Sequence, residues 1–167
     1  MQASLVVGIP QGSVCGAAGP LKTNVMRSNL PDNIEEQKFG EITYRTYRKS
    51  FEIEIYVLKT CEKEWDTDDF KIFGEDLYNH EWQLQVVDVE SINVQKKLLE
   101  SPEFIADVAP RIEVQRKLFE SGVPIPPLIL RGKDHLIFDG YARWHLLNEK
   151  RIAQCLAYVS SVSETYA

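Results

Sequence analysis

Alternating apolar and polar residues predict β-strands early in the chain. Ile42, Tyr44 and Thr46 occupy one face of a period-two pattern. The run 51–57 then alternates Phe, Ile, Ile and Val with Glu, Glu and Tyr, after a polar break at 48–50. We therefore predict a hairpin, or two neighbouring antiparallel strands, between residues 40 and 58.

The middle of the chain changes from strand to helix periodicity. Trp82–Val89 predicts a strand, because its residues alternate and are rich in β-branched types. Helix-forming residues fill 94–108, where Ser101-Pro102-Glu103 marks a break and a new helix start. Pro110 is expected in the first turn of a further helix that ends at Ser121-Gly122. This part of the chain is thus predicted to be a strand followed by helices.

The last third contains three short apolar runs and one helix. The prolines of 123–127 forbid a helix and favour an extended entry. Strands are predicted at 128–130, 135–138 and 152–159, with a helix between Asp139-Gly140 and Lys150. Strand, helices, two strands, helix and strand in this order predict a compact α+β unit.

Composition supports a folded protein and excludes several classes. The chain has 167 residues, of which 44% are hydrophobic and 26% charged, and a chain of this length can bury a full core. Its three cysteines are odd in number and lack C-x-x-C spacing, which argues against a disulfide scaffold or a structural zinc site. No apolar run is long enough to span a membrane, so we expect no membrane partner.

The acidic charge is concentrated in one segment. The net charge is −6, and residues 61–81 alone hold eight acids and two bases. Asp66, Asp68 and Asp69 lack the order of a calcium loop, so we interpret this segment as a solvated connecting face. The segment is a candidate surface for a protein partner. The negative balance argues against a whole surface that grips nucleic acid, although a local basic patch in the C-terminal half leaves nucleic acid as an open partner.

These observations divide the chain into four parts. Residues 1–31 are expected to be a flexible or loosely packed N-terminal arm without a secretory signal, which favours a cytoplasmic protein. Residues 32–81 form a β-rich, acidic region of unknown type. Residues 82–160 form the α+β domain, and 161–167 form a C-terminal tail.

The turn from strand to helix at Asp139-Gly140 is the strongest candidate site. A strand that ends directly at a helix start leaves the first amides, here Tyr141, Ala142 and Arg143, without intrahelical partners. These donors and the helix dipole attract anions. Gly140 permits close approach of a phosphate, and Arg143 adds a charged, forked donor. Asp139 is a candidate magnesium ligand, proton acceptor or helix cap.

Each of these residues also has a purely structural interpretation. Asp139 would then be only the N-cap of the helix, and Arg143 a surface or ion-pair residue. Tyr141, Trp144 and Leu147 recur at helical spacing, which favours a core stripe and leaves base stacking by Tyr141 as the alternative.

Residues 123–159, VPIPPLILRGKDHLIFDGYARWHLLNEKRIAQCLAYV, resemble the ParB/sulfiredoxin superfamily. Members share a prolyl entry into a strand, a hairpin, and a glycine-centred turn that opens a helix with a basic residue in its first turn. Together with the strand at 82–89, the resemblance covers about half of the chain. It implies a small mixed sheet with packed helices, here preceded by the β-rich N-terminal region.

The turn departs from two branches of that superfamily. Sulfiredoxins have G-G-C-H-R here, whereas this chain has Tyr141 and Ala142 in place of the reactive cysteine and the histidine, so sulfiredoxin activity is not expected. Partition proteins have G-E-R-R and use it with CTP; Gly140 and Arg143 match that pattern. The chain ends at Ala167, before the domains that follow in partition proteins, so we do not expect sequence-specific DNA clamping.

A third branch, the ADP-dependent free serine kinases, has D-G-x-H-R at the turn. This chain matches except at Ala142, which replaces the histidine. The kinases also place a catalytic Glu after the first strand, where Lys96 lies nearest and Glu90 and Glu100 are the closest acids. Loss of a general base costs roughly 10²–10⁴-fold in rate, so the kinase interpretation is secondary.

The leading functional hypothesis is binding of a nucleotide or another phosphate ligand at residues 139–143, where Asp139 would hold a magnesium ion carried by the nucleotide or orient the ligand. One alternative is a phosphotransferase or nucleotide hydrolase that uses Asp139 as its acid–base residue. The other is a non-catalytic module with a degraded site that interacts with protein or DNA.

Overall fold

The computed structural model describes residues 31–162. Residues 32–162 belong to one compact unit, and the division into a region 32–81 and a domain 82–160 stays a prediction. The predicted N-terminal arm lies outside the described residues, apart from Pro31, and so does most of the predicted tail at 161–167.

Helices and short strands alternate along the described part, and the predicted α+β class is confirmed. The elements, in chain order, are β1 (Glu35–Phe39), β2 (Ile42–Thr46), α1 (Ser50–Glu64), α2 (Thr67–Tyr78), β3 (Trp82–Asp88), a 3-10 turn (Val89–Ser91), α3 (Lys96–Leu99), α4 (Pro102–Glu120), β4 (Leu128–Leu130), β5 (Ile137–Asp139), α5 (Tyr141–Glu149) and β6 (Gln154–Ser160).

The first two strands form an antiparallel hairpin. Phe39 and Ile42 face each other at its closed end, where Gly40 has a positive φ of 62°. Ile42, Tyr44 and Thr46 are all buried, as the alternation predicts. Tyr44 also pairs with Ile125, which attaches the hairpin to the proline-rich segment before β4.

The predicted strand at 51–57 is wrong, because this segment is the first half of α1. Phe51 is 59% exposed, whereas Ile53, Val57 and Cys61 are fully buried. Residues four apart lie on one face of a helix, and Ile53, Val57 and Cys61 have this spacing. Over the short run 51–57 the same spacing also fits the alternation of a strand, which explains the error. The region 32–81 is therefore β-rich only in its hairpin.

The acidic segment 61–81 is not a connecting face either. It contains the end of α1 and the whole of α2. Asp66 is the N-cap of α2 and accepts from the amide of Asp69 at 2.9 Å, while the Asp69 carboxylate accepts from the amide of Asp66 at 3.1 Å. Two of the clustered acids thus serve as a capping box for their own helix.

Pro110 does not begin a helix as predicted. It lies in the middle of α4, which begins at Pro102 after the N-cap Ser101. A proline in the first turn needs no amide partner, and Pro102 already occupies that position. Pro110 instead removes one intrahelical hydrogen bond from the carbonyl of Ala106, four residues earlier.

Four strands form the central sheet, in the order β3-β6-β4-β5. β6 runs antiparallel to β3 and parallel to β4, and β4 pairs antiparallel with β5. The strand predictions at 82–89, 128–130 and 152–159 therefore correspond to β3, β4 and β6. β5 begins only at Ile137, since His135 lies in the preceding turn with a positive φ of 58°.

The two faces of the sheet are covered by different layers. One buried cluster joins Ile129 and Tyr158 to the apolar sides of α1 and α2. The other joins Leu128 and Leu130 to Leu147 of α5 and to the hairpin. Neighbouring residues of β4 enter opposite clusters, as strand geometry requires, and this arrangement places the C-terminal end of β5 beside α1, α2 and α5.

Candidate functional site

A cleft of about 560 Å³ opens where β5 passes into α5. Its floor is the predicted turn 139–143, and its walls come from the end of α1, the start of α2, the approach to α3 and one side of α4. The lining residues outside the turn are Thr60, Glu64, Trp65, Asp66, Asp69, Phe73, Gln95, Leu98, Phe104, Asp107, Val108, Arg111, Val114, Gln115, Ile137 and Phe138.

The N-terminus of α5 is open toward this cleft. Gly140 is its N-cap residue and, lacking a side chain, makes no capping hydrogen bond to the first amides. The first intrahelical bond runs from the amide of Trp144 to the carbonyl of Gly140, at 2.9 Å. The three preceding amides, at 141–143, have no intrahelical acceptor by helix geometry, and their residues all line the cleft. This end of α5 can therefore receive an anion.

Gly140 is required by its backbone conformation and by close packing. Its φ is +113°, in the region that favours glycine. A Cβ at this position would lie 2.5 Å from Cδ2 of Leu128 and 2.9 Å from Nη2 of Arg143. The space where a Cβ would lie is thus occupied by Leu128 and by the Arg143 guanidinium, and close approach of a phosphate to the backbone of Gly140 stays a prediction.

Arg143 points inward and its side chain is only 12% exposed. Its Nη2 donates to Oδ2 of Asp139 at 3.2 Å and to the carbonyl of Pro127 at 3.3 Å. Its Nε is buried and has no hydrogen-bond partner among the described residues. The guanidinium is therefore fixed by two contacts, and its Nε is enclosed by the protein.

Asp139 does not cap α5, so that interpretation is wrong, and the ion-pair interpretation of Arg143 is what the structure shows. The N-cap is Gly140, whose φ is positive, so Asp139 lies one residue before the cap position. Asp139 holds Arg143 in place through its carboxylate. Its role as an acid–base residue or magnesium ligand remains a prediction.

Three buried polar atoms in the described part of the chain lack a hydrogen-bond partner, and all three belong to residues that line the cleft. They are Oε1 of Gln115, the hydroxyl of Tyr141 and Nε of Arg143. Such an atom costs about 1–3 kcal/mol, and folded proteins rarely leave one unexplained. Because they are buried, all three lie beneath the surface of the cleft rather than on it.

Tyr141 connects the floor of the cleft to α4. Its ring meets Phe104 edge-to-face, with centroids 5.1 Å apart. Burial raises the pKa of its phenol, and neighbouring Gln95 opposes that rise without making a hydrogen bond of standard geometry. Tyr141, Trp144 and Leu147 all pack against the core, as the helical spacing predicts.

The cleft carries more acidic than basic side chains. Its acids are Glu64, Asp66, Asp69, Asp107 and Asp139, and its bases are Arg111 and Arg143. Arg111 reaches Glu64 at 3.7 Å and Asp107 at 3.5 Å. Because these partners are exposed, the ion pairs are weak, and Arg111 can exchange them for an incoming anion.

The acids at the start of α2 are already engaged with their own backbone. Burial raises the pKa of Asp69, and the charge of Asp66 adds to that rise, while the backbone hydrogen bond from Asp66 opposes it. Elsewhere in the acidic segment, Asp76 accepts from Arg131 at 2.8 Å, and Glu62 accepts from the Tyr78 hydroxyl at 2.9 Å. Much of the predicted partner surface is therefore paired internally.

No three His, Cys, Asp or Glu side chains within residues 31–162 come together in a way that could hold a metal ion. The acids nearest to the kinase position, Glu90 and Glu100, do not line the cleft, and Gln95 lines it where Lys96 was aligned. Within the same range, no helix is long and apolar enough to cross a membrane.

Sequence reasoning missed most of the cleft walls. Trp65 follows α1 and donates from Nε1 to the carbonyl of Phe138 at 3.0 Å, which joins α1 to β5. Phe104 and Gln115 lie on α4 and carry no motif. A helical wheel over an unbroken 102–120 helix would have placed Phe104, Val108, Arg111 and Gln115 on one face, but the predicted break at Pro110 concealed it.

This chain is similar to solved structures of a ParB N-domain. Two solved structures of a pNOB8-like ParB N-domain, one of them its C2221 crystal form, are each 20% identical to this chain, with a TM-score of 0.37. Each match covers 49% of this chain, and the chain spans 30% and 28% of those two structures. No protein-family model and no curated protein matches.

Proposed function

We propose that the cleft binds a phosphate-bearing small molecule of the nucleotide class, with its phosphate at the N-terminus of α5. The observation that carries this proposal is that α5 begins without a capping side chain and faces a cleft of about 560 Å³. Free amides at a helix start bind phosphate because they donate hydrogen bonds along the helix dipole.

Arg143 and Arg111 supply the positive charge in this proposal. Arg143 is held at the start of α5 by Asp139, so its guanidinium adds a fixed positive charge there. Arg111 is exposed and only loosely paired, so it can turn toward the phosphate. Asp139 acts as a positioning residue for Arg143 rather than as a direct ligand contact.

A magnesium ion would come with the nucleotide. The described residues do not fit a protein-held metal site, and the cleft holds five carboxylates against two guanidinium groups. A free polyphosphate would meet this negative field, whereas magnesium lowers the charge that the ligand brings. Asp139 is the acid closest in sequence to the open amides.

Isothermal titration with ATP, ADP, CTP and GTP, each with magnesium, tests the proposal. We expect at least one of them to bind, and Arg143→Lys to weaken that ligand about tenfold, because lysine keeps the charge but loses the forked donors. Arg48→Gln is the matched control, since Arg48 pairs with Glu35 on the hairpin and does not line the cleft.

Amide NMR shifts locate the phosphate independently of affinity. Addition of inorganic pyrophosphate should move the amide resonances of residues 141–143 more than those of 67–69 at the start of α2, because Asp66 and Asp69 already occupy that helix end. If the amide resonances of 141–143 do not shift with any of these phosphate compounds, the proposal is wrong. Phosphate release, measured in the same samples, would show whether a reaction follows binding.

A further inference from the structure

β3 lies at one edge of the central sheet, and within residues 31–162 its outer side has no strand partner. The strand is seven residues long and pairs with β6 in an unbroken register. An open strand edge offers unpaired N–H and C=O groups to another chain, and proteins usually block it with charges, a proline or a bulge. β3 has no proline and no bulge, and its single charged residue is Asp88, at its last position.

The opposite edge of the same sheet is blocked. β5 is only three residues long. The carbonyl of Asn93 accepts from the amide of Ile137 at 3.0 Å, and the Trp65 ring nitrogen donates to the carbonyl of Phe138 at 3.0 Å. In the hairpin, three of the five residues of β1 are charged. β3 therefore differs from both in being long, nearly uncharged and open.

The pairing with β6 shows which backbone groups of β3 face outward. At the two ends of the ladder, the amide of Val89 donates to the carbonyl of Ala153 at 2.9 Å, and the amide of Ser161 donates to the carbonyl of Glu81 at 2.7 Å. The direction of the backbone hydrogen bonds alternates along an antiparallel strand. The odd-numbered residues of 81–89 thus bond to β6, and the even-numbered residues direct their N–H and C=O groups to the open edge.

Side chains close both ends of this edge and leave its middle open. The carbonyls of Trp82 and Asp88 accept from serine hydroxyls at 3.1 Å and 2.7 Å. Between them, the N–H and C=O groups of Leu84 and Val86 have no hydrogen-bond partner in the described part of the chain. The Val86 side chain is 51% exposed, so this part of the edge is open to solvent.

We infer that β3 is a self-association edge, at which two copies of this chain pair their β3 strands antiparallel about a two-fold axis through Gln85. In this register Leu84 lies opposite Val86 of the second copy. Each copy contributes four open groups, and the eight groups form four hydrogen bonds with none left over. The four-stranded sheets join into one sheet of eight strands. The inference is independent of the proposed function, because β3 does not line the cleft.

The side chains of β3 also suit a second copy of the same strand. Leu84 and Val86 of the other copy form an apolar cross-strand pair, which covers the exposed Val86. Gln85 meets its own symmetry mate, and two neutral amides can hydrogen-bond to each other. Asp88 lies opposite Trp82 of the other copy, so no like charges meet although the chain has a net charge of −6. Two paired strands form a small interface, which predicts a weak dimer.

Analytical ultracentrifugation across a range of protein concentrations tests this inference. We expect a dimer with a dissociation constant of about 10–100 µM. Gln85→Lys should raise that constant at least about fivefold, because it places two like charges directly opposite each other. A mixture of Gln85→Lys and Gln85→Glu should form a mixed dimer more tightly than either variant pairs with itself.

Gln83→Lys is the matched control. Gln83 is exposed, as Gln85 is, and its side chain lies on the same face of the same strand. In the proposed register it faces Val87 of the second copy, and its own symmetry mate lies four strand positions away. The same change of charge should therefore alter the dissociation constant by less than about twofold.

Amide hydrogen exchange reports on the edge directly. The amides of Leu84 and Val86 should exchange quickly in dilute protein and more slowly as the concentration rises. The amides of Gln83 and Gln85 should exchange slowly at every concentration, since they bond to β6.

Three results would overturn the inference. A protein that stays monomeric up to about 500 µM would leave the edge to a different protein. Equal weakening of the dimer by Gln83→Lys and Gln85→Lys would place the dimer contact elsewhere. Slow exchange of the Leu84 and Val86 amides in dilute monomer would mean that another segment of the same chain covers the edge.

Discussion

Two helices begin at the same cleft, and their first amides are treated differently. α2 closes its N-terminus with its own residues, because the carboxylates of Asp66 and Asp69 each accept from the other's amide. α5 begins at Gly140, which has no side chain to offer, and Asp139 is turned to Arg143 instead. The first amides of α2 thus receive a hydrogen bond acceptor from the chain itself, whereas those of α5 receive none from their N-cap residue.

The two N-termini differ in whether the chain supplies negative charge to the start of the helix. The positive end of a helix attracts negative charge wherever it lies, and in α2 the protein supplies that charge at two positions. In α5 the same positive end, strengthened by Arg143, receives no carboxylate cap. A ligand that binds this cleft should therefore place its anionic group at α5 and keep away from the start of α2.

Replacement of the glycine that opens α5 should have the largest effect. Gly140→Ala should destabilise the fold by about 3 kcal/mol, because the added Cβ would clash with Leu128 at a strained φ of +113°. Gly122→Ala is the control, since Gly122 also has a positive φ, of 70°, but has nothing within 4 Å. It should lose only about 1 kcal/mol. Urea unfolding measures both, and equal losses would contradict the packing role of Gly140.

Removal of the cap from α2 should have the next largest effect. Asp66→Ala should lower the free energy of unfolding by about 1 kcal/mol, because the amide of Asp69 loses its acceptor. Asp68→Ala, at an exposed position outside the capping box, should change it by less than about 0.5 kcal/mol. If the two variants unfold at the same urea concentration, α2 does not depend on its carboxylate cap.

The capped end should also respond to pH. Burial raises the pKa of Asp69 above its usual 3.8 in the folded state. The folded state then takes up this proton more readily than the unfolded state, so the Asp69 contribution to stability increases as pH falls through the folded pKa toward 3.8. Asp69→Asn should remove that contribution while its amide oxygen still accepts from Asp66. Unfolding curves between pH 7 and 3.5 test this, and an unchanged pH profile in the variant would contradict it.

The exposed arginine at the cleft should have the smallest effect on the fold. Arg111→Gln should change the free energy of unfolding by less than about 0.5 kcal/mol, because its two ion pairs are solvent-exposed. The same variant should weaken pyrophosphate binding, most clearly at low ionic strength, where charge is least screened. A large loss of stability would instead make Arg111 a structural bridge between α1 and α4.

Local patterns predicted the strands and the turn better than the helices. β2 alternates cleanly, β3 lies where it was predicted although its alternation breaks at exposed Val86, and the Asp139-Gly140 step marks the start of α5 correctly. The run 51–57 satisfied a strand pattern because Ile53 and Val57 are four residues apart. That spacing equals two periods of a strand and about one turn of a helix. The burial of Cys61, one turn further along the chain, identifies the helix, and it is a tertiary fact.

The floor of the candidate site could be predicted, but its walls could not. Residues 139–143 are contiguous, so a motif can reveal them. Trp65, Phe104 and Gln115 come from separate elements, and only folding brings them to one cleft. Arg143 shows the same limit: its charge suggested a phosphate contact, whereas its orientation depends on Asp139 and on the carbonyl of Pro127.

The two sides of the cleft differ in how their backbone is supported, because Pro110 interrupts the hydrogen bonds of α4. The β5–α5 side is tied to the central sheet through Leu128 and Leu147, whereas α4 is interrupted by a proline beside Arg111, near the middle of its cleft-facing residues. A helix bends most easily where its hydrogen-bond ladder is broken. If the cleft binds the proposed ligand, α5 would hold its phosphate at a fixed place, and a bend at Pro110 would let α4 fit the rest of the ligand.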